Sequence, residues 1–175
     1  MTRIEDKENA HTIAVLVDNE PGVLARVIGL FSGRGYNIES LTVAETNMED
    51  NLSRITLVTV GTPMIVEQIK AQLGRLVPVH NVKDLTLQGK SVERELALIK
   101  VVGEGEARVE SLRIADIFRA RAVDSTNSSF IFEIVGKTEK IDAFITLMKP
   151  LGLTDVSRTG VAAISRGIQS LDAVF

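Results

Sequence analysis

The sequence predicts an α+β fold built from two consecutive βαββαβ units. Two observations lead to this prediction. Apolar runs of strand and helix length follow in the same order twice along the 175 residues, and two strands of the first unit alternate between apolar and polar side chains. Such alternation is typical of a sheet that helices cover on one face only. A βαββαβ unit with both helices on one face is a ferredoxin-like sandwich.

The first unit is predicted to occupy residues 11–87. Residues 12–17 are almost entirely apolar, which indicates a central strand. Residues 21–34 carry apolar side chains at helical spacing, and Asp18 or Asn19 is expected to cap the start of this helix. The remaining elements are strands at residues 38–44 and 52–60, a helix that follows residues 61–63, and a strand at residues 77–85.

The two middle strands of the first unit define the faces of its predicted sheet. Side chains in one phase are apolar and are expected to face the helices, whereas those in the other phase are polar. The apolar set is Leu41, Val43, Ile55 and Leu57, and the polar set is Ser40, Thr42, Arg54 and Thr56. The sheet also leaves edge strands exposed. Pairing edges between two copies is a common way to cover them, so we expect a homodimer.

The second unit is predicted over residues 92–167 and repeats the same order. Its first helix, residues 106–119, is expected to turn four apolar side chains inward, and Thr138 is expected to cap its second helix. The inward side chains are Val109, Leu112, Ile117 and Phe118. The strands are predicted at residues 95–102, 121–126, 130–135 and 154–159.

The connections and ends of the chain carry weaker patterns. Residues 88–91 are expected to form a hinge between the units. The chain beyond Gly160 shows no clear period and is expected to fray. Residues 1–10 and 168–175 are expected to be flexible.

Composition limits the classes of partner. The net charge is −3, so no general attraction to nucleic acid or to an anionic membrane is expected. The chain contains no cysteine, which removes disulfides and thiolate metal sites and fits a reducing compartment. No apolar run is long enough to span a membrane, and residues 1–10 do not resemble a signal peptide. We therefore expect a cytoplasmic protein.

No residue is expected to act in catalysis or to bind a metal. The two histidines, His11 and His80, are expected to be solvated or to lie at strand ends, and they build no Ser-His-Asp set. The carboxylates of residues 45–50 belong to a polar loop that is expected to be solvated. No glycine-rich phosphate-binding motif is present.

Residues 18–24 form the most informative segment, because a strand ends there, a Pro-Gly turn follows, and a helix begins. The N–H groups of Gly22, Val23 and Leu24 at the helix start could hold a carboxylate, and Asn19 could add a side-chain contact. A small ligand with an ammonium and a carboxylate would suit such a turn. The same pattern is also typical of an ordinary capped helix.

A second candidate segment, residues 33–38, lies where the first helix leads into the second strand. Asn37 and Ile38 would meet a ligand bound at the edge of the sheet, next to the turn of another copy. The alternative is a glycine cap at the helix end with a solvated Arg34.

Two other classes share the βαββαβ order and fit this chain poorly. An enzyme of the acylphosphatase type needs a basic phosphate-binding loop after the first strand, where this chain has Asp18 and Glu20. An RNA-recognition module needs exposed aromatic side chains on its middle strands. This chain has aliphatic residues there, such as Ile13 and Ile55.

Residues 16–27 resemble the start of an ACT domain, the βαββαβ module that senses amino acids. Their continuation, residues 29–43, is similar to the regulatory small subunits of acetolactate synthase. Shorter segments in both units fit the same family, so the resemblance extends over residues 11–167 in one register. These segments are residues 52–56, 68–73, 92–96 and 158–167.

The resemblance implies a non-catalytic subunit that binds the thiamine-diphosphate-dependent catalytic subunit of acetolactate synthase and raises its activity. It also implies feedback inhibition by valine, or by leucine or isoleucine, bound between two ACT domains. The implied effector residues are Asn19, Gly22, Val23 and Leu24 of one protomer with Asn37 and Ile38 of the other. Thiamine diphosphate, Mg²⁺ and FAD would belong to the catalytic subunit, with no cofactor in this chain.

One position departs from the family pattern: Pro21 stands where several bacterial relatives have serine. Proline stiffens the turn and removes one N–H group.

The alternative to a subunit of acetolactate synthase is an ACT-domain sensor that regulates a different biosynthetic enzyme.

Overall fold

The computed structural model describes residues 8–47, 49–87 and 91–171. These residues form two compact units, and the chain passes from the first to the second after Val92. The second unit ends at Val161, and the chain then returns to the first unit from Ala162 onward. Each unit contains one βαββαβ motif. The predicted fold class is confirmed.

The first unit is a four-stranded antiparallel sheet with two helices. Its strands lie in the order β2-β3-β1-β4, so β1 is internal and β2 forms one edge. The elements are β1 (Asn9–Asp18), α1 (Val23–Ser32), β2 (Ser40–Asn47), β3 (Leu52–Gly61), α2 (Pro63–Leu73) and β4 (Val79–Asp84).

The core of the first unit lies between the helices and the apolar face of the sheet. Ile13 of β1 lies opposite Leu57 of β3, and both are buried in this core. Each fully buried side chain of this size contributes about 1.5–3 kcal/mol relative to an exposed one. In β2, Leu41 pairs with Leu57 and Val43 with Ile55. The predicted apolar face is therefore confirmed for Leu41, Ile55 and Leu57, whereas Val43 shares this face but is 44% exposed.

The second unit repeats this architecture with strands in the order β6-β7-β5-β8, while β9 pairs with β5 off this path. The predicted hinge falls partly on residues 88–90, which lie outside the described residues, and Ser91 already belongs to β5. The elements are β5 (Ser91–Val102), α3 (Gly105–Phe118), β6 (Arg121–Ser125), β7 (Ser129–Gly136), α4 (Thr138–Met148) and β8 (Leu153–Arg158). The last strand, β9 (Ala162–Ser165), lies in the segment that returns to the first unit.

The predicted inward face of α3 is wrong for three of its four residues. Val109 is 68% exposed, Leu112 40% and Ile117 70%, whereas Phe118 does pack against the core. The apolar side chains therefore form an exposed stripe on this helix.

The core face of α3 consists largely of small residues that the apolar pattern did not mark. Ser111, Ile114 and Ala115 are buried. The Ser111 hydroxyl donates to the Arg108 carbonyl at 2.8 Å, which satisfies its donor within the helix. A buried serine at this position therefore leaves no unpaired hydroxyl donor.

Three further predictions about termini and caps need correction. Lys137, not Thr138, precedes the first residue of α4, and Thr138 instead donates to a carboxylate oxygen of Glu95 at 3.3 Å. The chain beyond Gly160 does not simply fray, because residues 162–165 form β9. Asn9 and the next residue belong to β1, whereas residues 1–7 and 172–175 lie outside the described chain.

His11 lies near the start of β1 but is not solvated. His11 is buried, and its Nδ1 lies 2.9 Å from a carboxylate oxygen of the buried Asp84. Asp84 also accepts the backbone N–H groups of Thr86 and Leu87 at 2.8 and 3.3 Å. The pair thus connects β1 to the end of β4.

An ion-pair cluster joins three elements of the second unit. The Arg158 guanidinium donates to both carboxylate oxygens of Glu95, at 2.6 and 2.8 Å, and to Asp142 at 2.7 Å. The hydrogen bond to Glu95 is the largest cause that raises the pKa of Arg158 above its usual value. The Glu95 side chain is only 5% exposed, so Arg158 supplies the cation next to a buried carboxylate.

We expect Arg158→Met to destabilise the protein strongly, because it leaves the Glu95 carboxylate buried without its cation. Breaking a buried pair costs about 3–5 kcal/mol, and the partial exposure of Arg158 places the loss toward the lower end. Arg113→Met removes the exposed pair with Glu110 and should cost less than about 1 kcal/mol. The free energy of unfolding in urea measures both. Equal losses would contradict a structural role for the Arg158 cluster.

Candidate functional site

The turn between β1 and α1 is shaped by Gly22. This residue precedes the first helical residue and has φ +86°, a left-handed conformation that strongly favours glycine. No side chain caps the helix, so the predicted caps, Asp18 and Asn19, are wrong. Pro21 lies before the helix and not in its first turn. The helix thus begins two residues later than predicted.

Asp18 and Asn19 instead attach the turn to its neighbours. The Asp18 carboxylate lies 2.6 Å from Nε2 of His80 on β4. The backbone N–H of Asn19 donates to the Asn51 carbonyl at 2.8 Å, and the Asn51 side chain donates to the Asn19 carbonyl at 3.4 Å. These bonds use the backbone of Asn19, whose side chain is exposed.

The helix start offers backbone donors. The N–H of Val23 makes a long contact of 3.4 Å with the Glu20 carbonyl, and the N–H of Arg26 donates to the Gly22 carbonyl at 3.1 Å. Within the described chain, no backbone acceptor is found for the N–H groups of Gly22, Leu24 and Ala25. Unpaired N–H groups at a helix start favour anions, with a partial charge of about +0.5.

The three apolar site residues differ in what they can contribute. The Val23 side chain is buried in the core, so only its backbone can reach a ligand. The Leu24 side chain is 37% exposed beside the unpaired donors. Ile38 is half-buried and packs against the core.

Asn37 and Ile38 lie at the other end of the sheet. The Asn37 carbonyl accepts a hydrogen bond from the Thr59 hydroxyl at 2.6 Å, and its side-chain amide donates to the Glu39 carboxylate. Thr59 pairs with His11 near the start of β1, whereas the turn follows the end of β1. The ten residues of α1, about 15 Å of helix, separate the two. One chain does not bring the two predicted half-sites together.

The end of α1 agrees with the alternative interpretation of residues 33–38. Gly33 caps the helix with its N–H bonded to the Gly29 carbonyl at 2.9 Å, and Arg34 is exposed. Asn37 follows this cap, after Gly35 with φ +71°.

Strand β2 connects the two half-sites along an edge of the sheet. It begins opposite Val58, near Asn37, and ends opposite Leu52, near the turn. Among the described strands only β3 pairs with it. The edge therefore has a different predicted half-site at each end.

Sequence reasoning missed two residues that hold the turn. His80 contacts Asp18, which is 62 residues away in the sequence. No local sequence pattern around either residue predicts this contact. Asn51 has φ +54°, a conformation that asparagine tolerates better than most residues. The one sequence signal for its role is its position at the end of the polar connection between β2 and β3.

Two kinds of feature are absent from the described residues. No helix there is both long and apolar enough to cross a membrane. In the same part of the chain, His, Asp and Glu side chains form no group of three that could hold a metal ion.

Family models match both units. One described as "AHAS small subunit-like ACT domain" matches residues 13–81, and one described as "Small subunit of acetolactate synthase" matches residues 94–167.

Curated relatives match nearly the whole chain. The probable acetolactate synthase small subunit of Archaeoglobus fulgidus is 51% identical over 157 residues, which cover 90% of this chain and 97% of the relative. The small subunit of acetolactate synthase isozyme 3 of Escherichia coli is 46% identical over 156 residues, which cover 89% of this chain and 94% of the relative.

A solved structure agrees with these matches. The crystal structure of the acetolactate synthase small subunit from Thermotoga maritima superposes with a TM-score of 0.83 at 38% identity. The match covers 91% of this chain and 98% of that chain. The chain therefore belongs to the acetolactate synthase small-subunit family, as a regulatory, non-catalytic subunit with an ACT domain.

Proposed function

We propose that this chain binds the thiamine-diphosphate-dependent catalytic subunit of acetolactate synthase in the cytoplasm, raises its activity, and confers feedback inhibition by valine. Leucine or isoleucine would bind in the same way. The observation that carries the proposal is the unpaired helix start beside the exposed Asn19 and Leu24. Thiamine diphosphate, Mg²⁺ and FAD belong to the catalytic subunit, and this chain binds none of them.

The turn matches the chemistry of an amino acid. The N–H groups of Gly22 and Leu24 hold the ligand carboxylate, with the positive end of the helix behind them. The ligand ammonium faces the side-chain oxygen of Asn19. The Leu24 side chain offers apolar surface to a branched aliphatic group. One methylene in such a pocket changes affinity by about 1–3 kcal/mol, so all three branched-chain amino acids are candidate effectors.

A second copy completes the site. Two β2 strands that pair antiparallel about a two-fold axis bring the start of each strand to the end of the other. Each turn then lies beside Asn37 and Ile38 of the other copy. The side-chain nitrogen of Asn37 donates to the Glu39 carboxylate. The side-chain oxygen of Asn37 is therefore left to accept from the ligand ammonium. The dimer holds two equivalent effector sites.

Regulation follows as a shift between two states of the dimer. Without valine, the dimer holds the catalytic subunit in a competent arrangement. With valine, contacts across the β2 edge favour a second geometry that activates less. A ligand shifts such an equilibrium only by the difference in its affinity for the two states. If valine changes the affinity of the dimer for the catalytic subunit by some factor, the catalytic subunit must change the affinity of the dimer for valine by the same factor.

Reconstitution tests the proposal as a whole. The purified chain is mixed with the catalytic subunit from the same source, and acetolactate formation is measured with and without valine. We expect a stable complex, higher activity than the catalytic subunit alone, and a loss of activity with valine. If no complex forms, the chain serves a different enzyme as an ACT-domain sensor.

We expect Asn19→Ala and Asn37→Ala each to relieve valine inhibition, because each removes a polar contact to the ligand. The valine concentration for half inhibition should rise at least tenfold, equivalent to about 1.4 kcal/mol. Activation of the catalytic subunit should be retained. Asn127→Ala, at an exposed turn of the second unit, is the control. If both test variants stay as valine-sensitive as the parent, the site assignment is wrong.

Gly22→Ala should weaken the valine response without a steric clash. An added Cβ would meet nothing within 4 Å, yet φ is +86°, and an alanine in this conformation costs about 1–2 kcal/mol. The turn would therefore rearrange. Gly29→Ala is the matched control, because its Cβ also meets nothing within 4 Å and alanine favours the helix. Valine titrations of both complexes measure the difference, and equal responses would contradict the role of the turn.

Val43→Glu should weaken the homodimer. Val43 lies in the middle of β2, so two new carboxylates would meet near the two-fold axis, where like charges are destabilising. Val60 on β3 is equally exposed, at 44%, and Val60→Glu serves as the control. Sedimentation equilibrium should give at least a tenfold higher dimer dissociation constant for Val43→Glu alone. Equal constants for the two variants would place the interface elsewhere.

A further inference from the structure

Residues 162–171, here called the strap, bond to the first unit through three side chains of its sheet. The Arg54 guanidinium donates to the Ala163 carbonyl at 2.7 Å, and the Asn81 amide donates to the Leu171 carbonyl at 2.7 Å. The Lys83 ammonium lies 3.3 Å from the side-chain oxygen of Gln169. Two of these contacts bind the backbone of the strap, at its two ends.

The side chains that hold the strap lie on the helix-free face of the sheet. Arg54 and Asn81 pair with Leu16 from either side, so the three residues form one row across β3, β1 and β4. Leu16 alternates with Val15 and Val17, which face the helices, and it is nonetheless buried. The strap therefore covers a row that the helices cannot reach.

An apolar anchor fixes the far end of the strap. Leu171 is only 5% exposed, whereas Ile168 in the same segment is fully exposed. The two side chains are both aliphatic and lie three residues apart. Of the two, only Leu171 is therefore buried when the strap is seated.

The row under the strap is adjacent to the turn. Leu16 is two residues before Asp18, the last residue of β1. Asn81 follows His80, whose ring nitrogen lies 2.6 Å from the Asp18 carboxylate. One stretch of β4 thus holds both the strap and the end of β1.

We propose that seating of the strap fixes the end of β1, so that the strap and the turn at Asn19 respond to each other. The strap then controls the position of the end of β1, in addition to covering the helix-free face of the sheet. Where the turn binds an amino acid, strap release weakens that binding and binding tightens the strap, because linkage is reciprocal. This ligand-dependent part rests on the proposed function, whereas the response of the turn itself does not.

Amide exchange in the full chain, followed by NMR, tests the inference without a ligand. The reporters are the N–H groups of Asp18 and Asn19, which donate to the Pro78 and Asn51 carbonyls at 2.9 and 2.8 Å. Leu171→Ser should raise exchange at least threefold in the strap and at both reporters. Ile168→Ser, the matched control, should leave the reporters unchanged.

Asn81→Leu removes one bond from the sheet side and should reproduce the effect of Leu171→Ser. A strap that exchanges like a free peptide in the parent overturns the inference. Faster strap exchange with unchanged reporters overturns it as well.

Calorimetric titration with valine adds the ligand-dependent arm. We expect the dissociation constant to rise at least threefold in Leu171→Ser and to stay at the parent value in Ile168→Ser. An unchanged constant in Leu171→Ser contradicts the linkage. If the parent binds no branched-chain amino acid, the proposed function fails, and the exchange of Asp18 and Asn19 still decides the inference about the strap.

Discussion

The first unit depends on a strand that is buried on both faces although helices cover only one. Ile13 and Val15 of β1 pack under α1 and α2, and Leu16 on the opposite face is buried as well. A two-layer sandwich leaves that second face open to water, where an apolar strand would lose much of its burial energy. The C-terminal segment resolves this conflict because it returns to the sheet, whose Arg54 and Asn81 side chains donate to its backbone carbonyls. The same strand ends in the turn, so its position affects the candidate site directly.

The geometry of α1 explains why the proposed site needs two copies. Its start carries unpaired N–H groups beside Leu24, and its end leads to Asn37, with the length of the helix between them. Strand β2 runs back along the edge of the sheet and has one half-site at each end. A two-fold pairing of this edge joins opposite halves, so that dimerisation and effector binding would stabilise each other. In this proposed arrangement the effector would bind across the interface between two copies.

The order of elements and the faces of the first sheet could be predicted from the sequence, because alternation along a strand reports burial directly. The face of α3 could not be predicted in this way. Val109 and Ile117 have helical spacing but are exposed, whereas Ser111 is buried with its hydroxyl bonded within the helix. The cap of α1 was misplaced because Gly22 adopts a left-handed turn that delays the helix. Long-range contacts such as those of the C-terminal segment leave no local pattern.

The proposed regulation requires that the turn of this chain binds a branched-chain amino acid. Isothermal titration of the purified chain with valine, leucine, isoleucine and serine measures this binding. We expect saturable binding of at least one branched-chain amino acid at one site per chain, with two equivalent sites per dimer. Serine, which lacks the aliphatic branch that would contact Leu24, should bind much more weakly. Absence of any branched-chain binding, or equal binding of serine, would contradict the account.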